Sequence, residues 1–283
     1  MFPLSRFQTI YGVDFSGAKL AGHNTWIAEA AVGDGRLTLR YVRSLEAMSG
    51  HAERGPALGW LVHAIAGSEG ALWAMDFPFA MPIEVMEREM TWRGQLDLMG
   101  RWRRGAYGMG LRCVERSKRH NGSLHIRRLT DAEEKTPFDC YHYRIIYQTF
   151  HGMRDVLLPL SRRRGVAVLP FDYGKLGRAK GVVIEACPGS VLRRLSLPYN
   201  NYKQPAGGAL TGVRRRTRRV LLEAMGEWIE VPADLRRRIM RNPGGDALDA
   251  VIAAVGAALR WEGLNHGAIA RHRRYRLEGY VYA

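Results

Sequence analysis

The chain has 283 residues and is 46% hydrophobic, enough to bury one sizeable core in a single domain. No run approaches the ~18 apolar residues that span a bilayer, and Cys113, Cys140 and Cys187 are too few and too scattered for a disulfide framework or a thiolate zinc site. The net charge is +16, carried by 37 Arg and 6 Lys; this excess favours polyanionic partners such as nucleic acid, although a solvated surface accounts for it equally well.

The N-terminal MFPLSRFQTIYGVDF is broken early by Arg6, Gln8 and Asp14, so it does not read as a signal peptide, and a reduced, cytoplasmic protein is expected. FQTIYGVDF reads as a first strand. TWIAEAAV and RLTLRYVRSL flank Gly33-Asp34-Gly35, and an Asp-Gly between two such runs is a hairpin signal. Leu58, Leu61, Val62 and Ile65 then recur at helical spacing. ALWAMDFPF is a continuous apolar run ending in Asp76, which fits a strand buried on both faces.

The rhythm is lost over about 81–135, read as a basic insertion. Here Trp92, Arg101, Trp102, Arg103 and Arg104 mix aromatic and cationic side chains, as a surface that stacks bases and pairs phosphates would. A solvated face with the aromatics turned inward explains the same pattern. Residues 139–164 look helical, GVAVLPF a short strand, and GVVIEACPG a second buried strand ending in Glu185. Helices are expected at 188–196 and 214–227, the latter exposing a run of arginines between 214 and 219. The last long helix begins near Asp246, and LEGYVYA reads as a short final strand. This order predicts an α/β fold, a mixed sheet covered by helices.

Four positions in this frame carry acids. Asp14, Asp76 and Glu185 end strands, while Asp246 and Asp249 lie three apart at the start of the last helix and share one face. Ligands of open α/β sheets gather outside the carboxyl ends of the strands, and carboxylates gathered there repel unless a cation neutralises them. Hard oxygen donors suit Mg2+ or Mn2+, and such ions support phosphodiester hydrolysis. Each acid alone has an ordinary role: Asp14 in an Asx turn, Asp76 as a strand end, Asp246 as an N-cap with Asp249 at N3.

The set YGVDFSGAK, WAMDFPF, VIEACPG and GGDALDAVIAA resembles the predicted-nuclease family called domain-of-unknown-function family 429, of the ribonuclease-H-like superfamily. The likeness covers about 1–80 and 180–283. It implies a five-stranded mixed sheet with its first three strands antiparallel and an insertion after the fourth. It also implies a metal-dependent nuclease whose acids are Asp14, Asp76 and one of Asp246 or Asp249, with Glu185 as a further ligand or general base. A resolvase-like activity would call for a homodimer. Two other readings stand beside it. One is a nucleic-acid or nucleotide binding protein without turnover. The other is an actin-like or sugar-kinase-like phosphotransferase, because Asp14-Phe-Ser-Gly-Ala-Lys19 resembles a first phosphate turn in which Ser16 and Lys19 reach phosphate; the second Gly-rich turn of those enzymes is absent.

Overall fold

Strands β1 (Thr9–Asp14), β2 (Trp26–Val32) and β3 (Leu37–Ser44) form an antiparallel meander in the computed structural model, which describes residues 4–87, 90–204 and 208–283. Residues 1–3 of the N-terminal stretch and 88–89 of the expected insertion lie outside the described residues. Next to β1 on its other side lies β4 (Ala71–Met75), in parallel. The sheet continues through β6 (Gly181–Glu185), parallel to β4, to the outer strand β5 (Val166–Val168). At the opposite edge the two-residue β7 (Ile229–Glu230) pairs with β3. The order is β5-β6-β4-β1-β2-β3-β7, a mixed sheet of seven strands rather than five. GVAVLPF adds a strand outside β6, and β7 is too short to show any periodicity. LEGYVYA is not a strand: Tyr275–Glu278 turns helically, and Val281 makes one isolated bridge to Glu185.

The central strands alternate between two cores. Leu72, Ala74, Val182 and Ile184 face one, while Trp73, Met75 and Val183 face the other, so the unbroken apolar runs of β4 and β6 are buried twice over. The second core is covered by helices α1 (Arg54–Gly67), α2 (Trp92–Arg101), α3 (Gly105–Asn121) and α4 (Ile146–His151). The first is covered by α5 (Pro188–Arg194), α6 (Gly212–Ala224), α7 (Ala233–Arg241) and α8 (Asp246–Gly263). The segment read as an insertion therefore supplies core side chains, Leu96, Met99, Met109 and Cys113 among them. Thr91 caps α2, its hydroxyl accepting the Gly94 N–H at 3.2 Å.

Helix α8 is nearly all Ala, Val, Ile and Leu over its buried length and lies directly on β1. At Gly12 a Cβ would sit 1.9 Å from the Ala250 carbonyl oxygen, so only glycine permits this approach. No helix among the described residues is long and apolar enough to cross a membrane.

Candidate functional site

Asp14 is the last residue of β1, and Asp76 follows β4 immediately. Val13 and Met75 are register partners and the Asp76 N–H donates to the Val13 carbonyl at 2.9 Å, which sets the two acids side by side. Asp249 arrives from the first turns of α8, whose seating on Gly12 brings it to the end of β1. The three carboxylates offer oxygens that all lie within 4.8 Å of one another, a group able to hold a metal ion. Among the described residues, nothing donates a hydrogen bond to the carboxylate of Asp14 or Asp76. Asp249, 1% exposed, accepts the Tyr202 hydroxyl at 2.9 Å and pairs with the Lys203 ammonium.

The electrostatics follow from this crowding. Burial pushes the Asp14 carboxyl well above the carboxylate range; Lys203 opposes the shift, and Asp249, Asp76 and Asp246 add to it. Asp76 is pushed up to about 7 by burial, with Asp249 and Glu185 adding and Lys203 opposing. Desolvation inside the cavity mouth would lower the Lys203 ammonium, but Asp249, Tyr202 and Asp14 outweigh it and hold it above its ordinary value.

Asp246 stands apart. It is the first residue of α8, behind Gly245 in the left-handed region (φ +92°), so the N-cap is Gly245 and not Asp246. The Asn242 amide reaches its carboxylate at 3.4 Å, and it is not among the residues lining the cavity that holds the other three acids.

Glu185 does line that cavity, but in a different company. Arg128, 1% exposed, donates to both of its oxygens, and the Phe79 N–H adds a bond of 2.9 Å. The same guanidinium reaches both oxygens of Asp131 at 2.8 and 3.0 Å, and the Thr136 hydroxyl and Cys140 thiol complete that carboxylate. Burial raises the Glu185 carboxyl, and Arg128 opposes it. Every carboxylate oxygen of this pair has a partner, so Glu185 stands in a buried ion pair with Arg128 and apart from the three open acids.

The cavity has a volume of about 700 Å³. Its walls carry Arg144, Arg193, Arg214, Phe138 and Tyr199 around the acidic floor. Arg193 lies 4.6 Å from the Tyr199 ring centroid, and Tyr199 is 44% exposed. Behind it, Arg218 is fully buried and donates to the carbonyls of Tyr202, Ile239, Asn242 and Pro243. This clamp ties the loop of Tyr202 and Lys203 to the turn that starts α8.

The other expected contact residues fall elsewhere. Trp92 is 3% exposed, stacks on Phe171 at 4.1 Å and donates its indole N–H to the Phe79 carbonyl. It has no face for a base, because it lies on the buried side of amphipathic α2 with Leu96 and Met99. Trp102 is half-buried, its N–H bonded to the Gly105 carbonyl at 3.0 Å. Arg101, Arg103 and Arg104 are exposed at the α2–α3 junction, and none of this group lines the acidic cavity. Nor do Ser16 and Lys19: the Ser16 hydroxyl accepts the Ala18 N–H at 3.3 Å, and Lys19 is exposed.

Sequence reasoning misses Lys203, Tyr202, Arg128 and Asp131. Lys203 sits in a loop without periodicity, and Arg128 is one arginine among 37. No family model, curated protein or solved structure matches this chain.

Proposed function

We propose that the chain is a divalent-metal-dependent nuclease of ribonuclease-H-like architecture, acting on nucleic acid phosphodiesters. The observation that carries this reading is the convergence of Asp14, Asp76 and Asp249 within 4.8 Å at the carboxyl ends of two adjacent parallel strands and the start of one helix. Two of these carboxylates lack any donor among the described residues, in a chain of net charge +16. Three hard oxygen donors with unmet charge fit Mg2+ or Mn2+. The order β3-β2-β1-β4-β6, with its first three strands antiparallel, supports the architecture, and β5 and β7 are additions at the two edges.

Asp14, Asp76 and Asp249 would hold the ion, which when bound supplies Lewis-acid polarisation of a phosphoryl oxygen. Lys203 keeps a positive charge beside Asp249, where negative charge develops on a phosphate drawn into the cavity. Arg144, Arg193 and Arg214 on the walls suit phosphate oxygens, and Phe138 and Tyr199 offer rings to bases. All three acids come from one chain, so this chemistry needs no second copy; a resolvase-like pair of cuts would need a homodimer.

One observation favours the reading of a nucleic-acid binding protein without turnover: the Lys203 ammonium already pairs with Asp249. The phosphotransferase reading has no such support, since Ser16 and Lys19 stand outside the cavity. Calorimetric titration with Mn2+ separates the first two. The parent should bind, and Asp14→Asn should lose more than about 100-fold in affinity while keeping its fold, a larger drop than the loss of a hydrogen bond supporting a ligand brings. Mn2+-dependent cleavage of labelled single-stranded and branched oligonucleotides should disappear in parallel. A parent that takes up no Mn2+ overturns the nuclease reading.

A further inference from the structure

Helices α6 and α7 carry nine arginines between them, against the acids Glu223 and Asp234. The nine divide by depth. Arg218 is buried in its clamp on four carbonyls, and Arg214, in the first turn of α6, lines the acidic cavity. Arg215 and Arg219 face a second, separate notch of about 310 Å³, completed by Arg236, Arg237 and Arg241 of α7 with Ala233 and Met240. Five arginines thus line one small concavity, whose surface is made mainly by their aliphatic stems with Ala233 and Met240. Only Arg236 has an acidic partner, Glu223 at 3.4 Å; among the described residues Arg215, Arg219, Arg237 and Arg241 have none.

Like charges concentrated in a notch raise its potential and draw anions into it. Arginine presents a planar fork that meets phosphate oxygens bidentately, and helices hold these forks at fixed spacing. Arg214 and Arg219 are separated by about 7.5 Å of helix axis, at a rise of 1.5 Å per residue. Five residues also turn the helix by about 140°, so a strand leaving the acidic cavity would reach the notch by passing round α6.

We propose that the α6–α7 surface holds the phosphate backbone of the nucleic-acid strand flanking the segment seated in the acidic cavity. This rests on the nucleic-acid reading above and adds where the strand runs. It transfers the main polyanion-binding surface from the exposed group Arg101, Arg103 and Arg104 to Arg215, Arg219, Arg237 and Arg241.

The test is fluorescence anisotropy with a labelled single strand of about 20 nucleotides and its duplex, in EDTA so that nothing is cut, across about 50–200 mM salt. The parent is compared with R215A/R219A/R237A/R241A, with the same four positions changed to Lys, and with R101A/R103A/R104A. All these side chains are exposed, and circular dichroism checks each fold. The α6–α7 Ala variant should lose at least about tenfold in affinity near 100 mM salt, and its slope of log K against log salt should become shallower by about 0.7–0.9 for each phosphate no longer neutralised. The Lys variant should keep most of that slope but bind more weakly than the parent. The 101–104 variant should stay within about threefold of the parent, as expected for charges away from the strand. Equal losses in the two Ala variants, or none in the first, overturn the proposal while leaving the nuclease reading standing. A parent that binds neither oligonucleotide overturns the proposal together with the nucleic-acid part of that reading, whereas Mn2+ uptake at Asp14, Asp76 and Asp249 is scored separately.

Discussion

Asp131 and Glu185 share one guanidinium, that of Arg128, and with the Phe79 N–H, the Thr136 hydroxyl and the Cys140 thiol every one of their oxygens is occupied. Asp14, Asp76 and Asp249 line the same cavity and feel one ammonium, that of Lys203, which among the described residues forms an ion pair only with Asp249. Each group includes an acid at the end of a β-strand, and each crowds carboxylates where water is scarce. In the first the charge is closed off inside the protein; in the second it is left open to a ligand. Proximity of carboxylates therefore does not by itself mark a metal site. What separates the two groups is the missing donor.

The largest effect should come from opening the closed group. Arg128→Met leaves Asp131 and Glu185 buried without their cation, a change that costs about 3–5 kcal/mol, read as a lower midpoint in urea unfolding. Adding Asp131→Asn and Glu185→Gln to that background should recover part of the loss. If Arg128→Met unfolds at the parent's midpoint, the two groups do not differ as described.

Next comes the seat of the open group. Gly12→Ala places a methyl where the Ala250 carbonyl already stands, and α8 must move off β1 to admit it. Overpacking of this kind costs about 1–3 kcal/mol. Asp249 should move with the helix, so Mn2+ affinity should fall in calorimetry even where the protein still folds. The Arg128 group, attached to β6 and not to α8, should be unaffected. Unchanged Mn2+ affinity in a folded Gly12→Ala protein would remove α8 seating as the device that places Asp249.

A third contrast lies in pH dependence. Asp76 holds its proton up to about pH 7 in the folded, metal-free chain, against an ordinary value of 3.8. Its proton is bound more tightly folded than unfolded, so its contribution to stability is complete below pH 3.8 and is lost as pH rises through about 7. The melting temperature of the metal-free parent should therefore fall between about pH 5 and pH 8 relative to Asp76→Asn, and saturating Mn2+ should cancel the difference. Parallel curves for parent and variant in EDTA would count against an open, repelling group.

These contrasts also explain what the sequence discloses and what it hides. The meander and β4 are legible because alternation and the Asp-Gly turn are local signals, and α8 because its apolar run is long. Edge strand β7 and the amphipathic pattern of α2 and α3 are not, since Ile229–Glu230 is too short to have a period and the Arg-Gly background of α3 dilutes its apolar stripe. Within the site, Asp76 and Glu185 carry the same signature, an acid closing an apolar run. Their opposite fates depend on Arg128, which reaches Glu185 only through tertiary packing. Trp92 shows the converse: an aromatic among arginines, read as a base-stacking surface, is buried by the helix it begins.

The floor of the cavity has a further consequence, for how the chain folds. Asp14, Asp76 and Asp249 are far apart in sequence and belong to β1, the end of β4 and α8, so the open group exists only after those three elements have docked. Pairings of such separation close large loops and form late. A cation gripped there would touch only the finished arrangement, and binding the native state alone stabilises it by about 2.7 kcal/mol at a concentration about one hundred times Kd. Beyond any part in chemistry, it would act as a removable rivet through three elements.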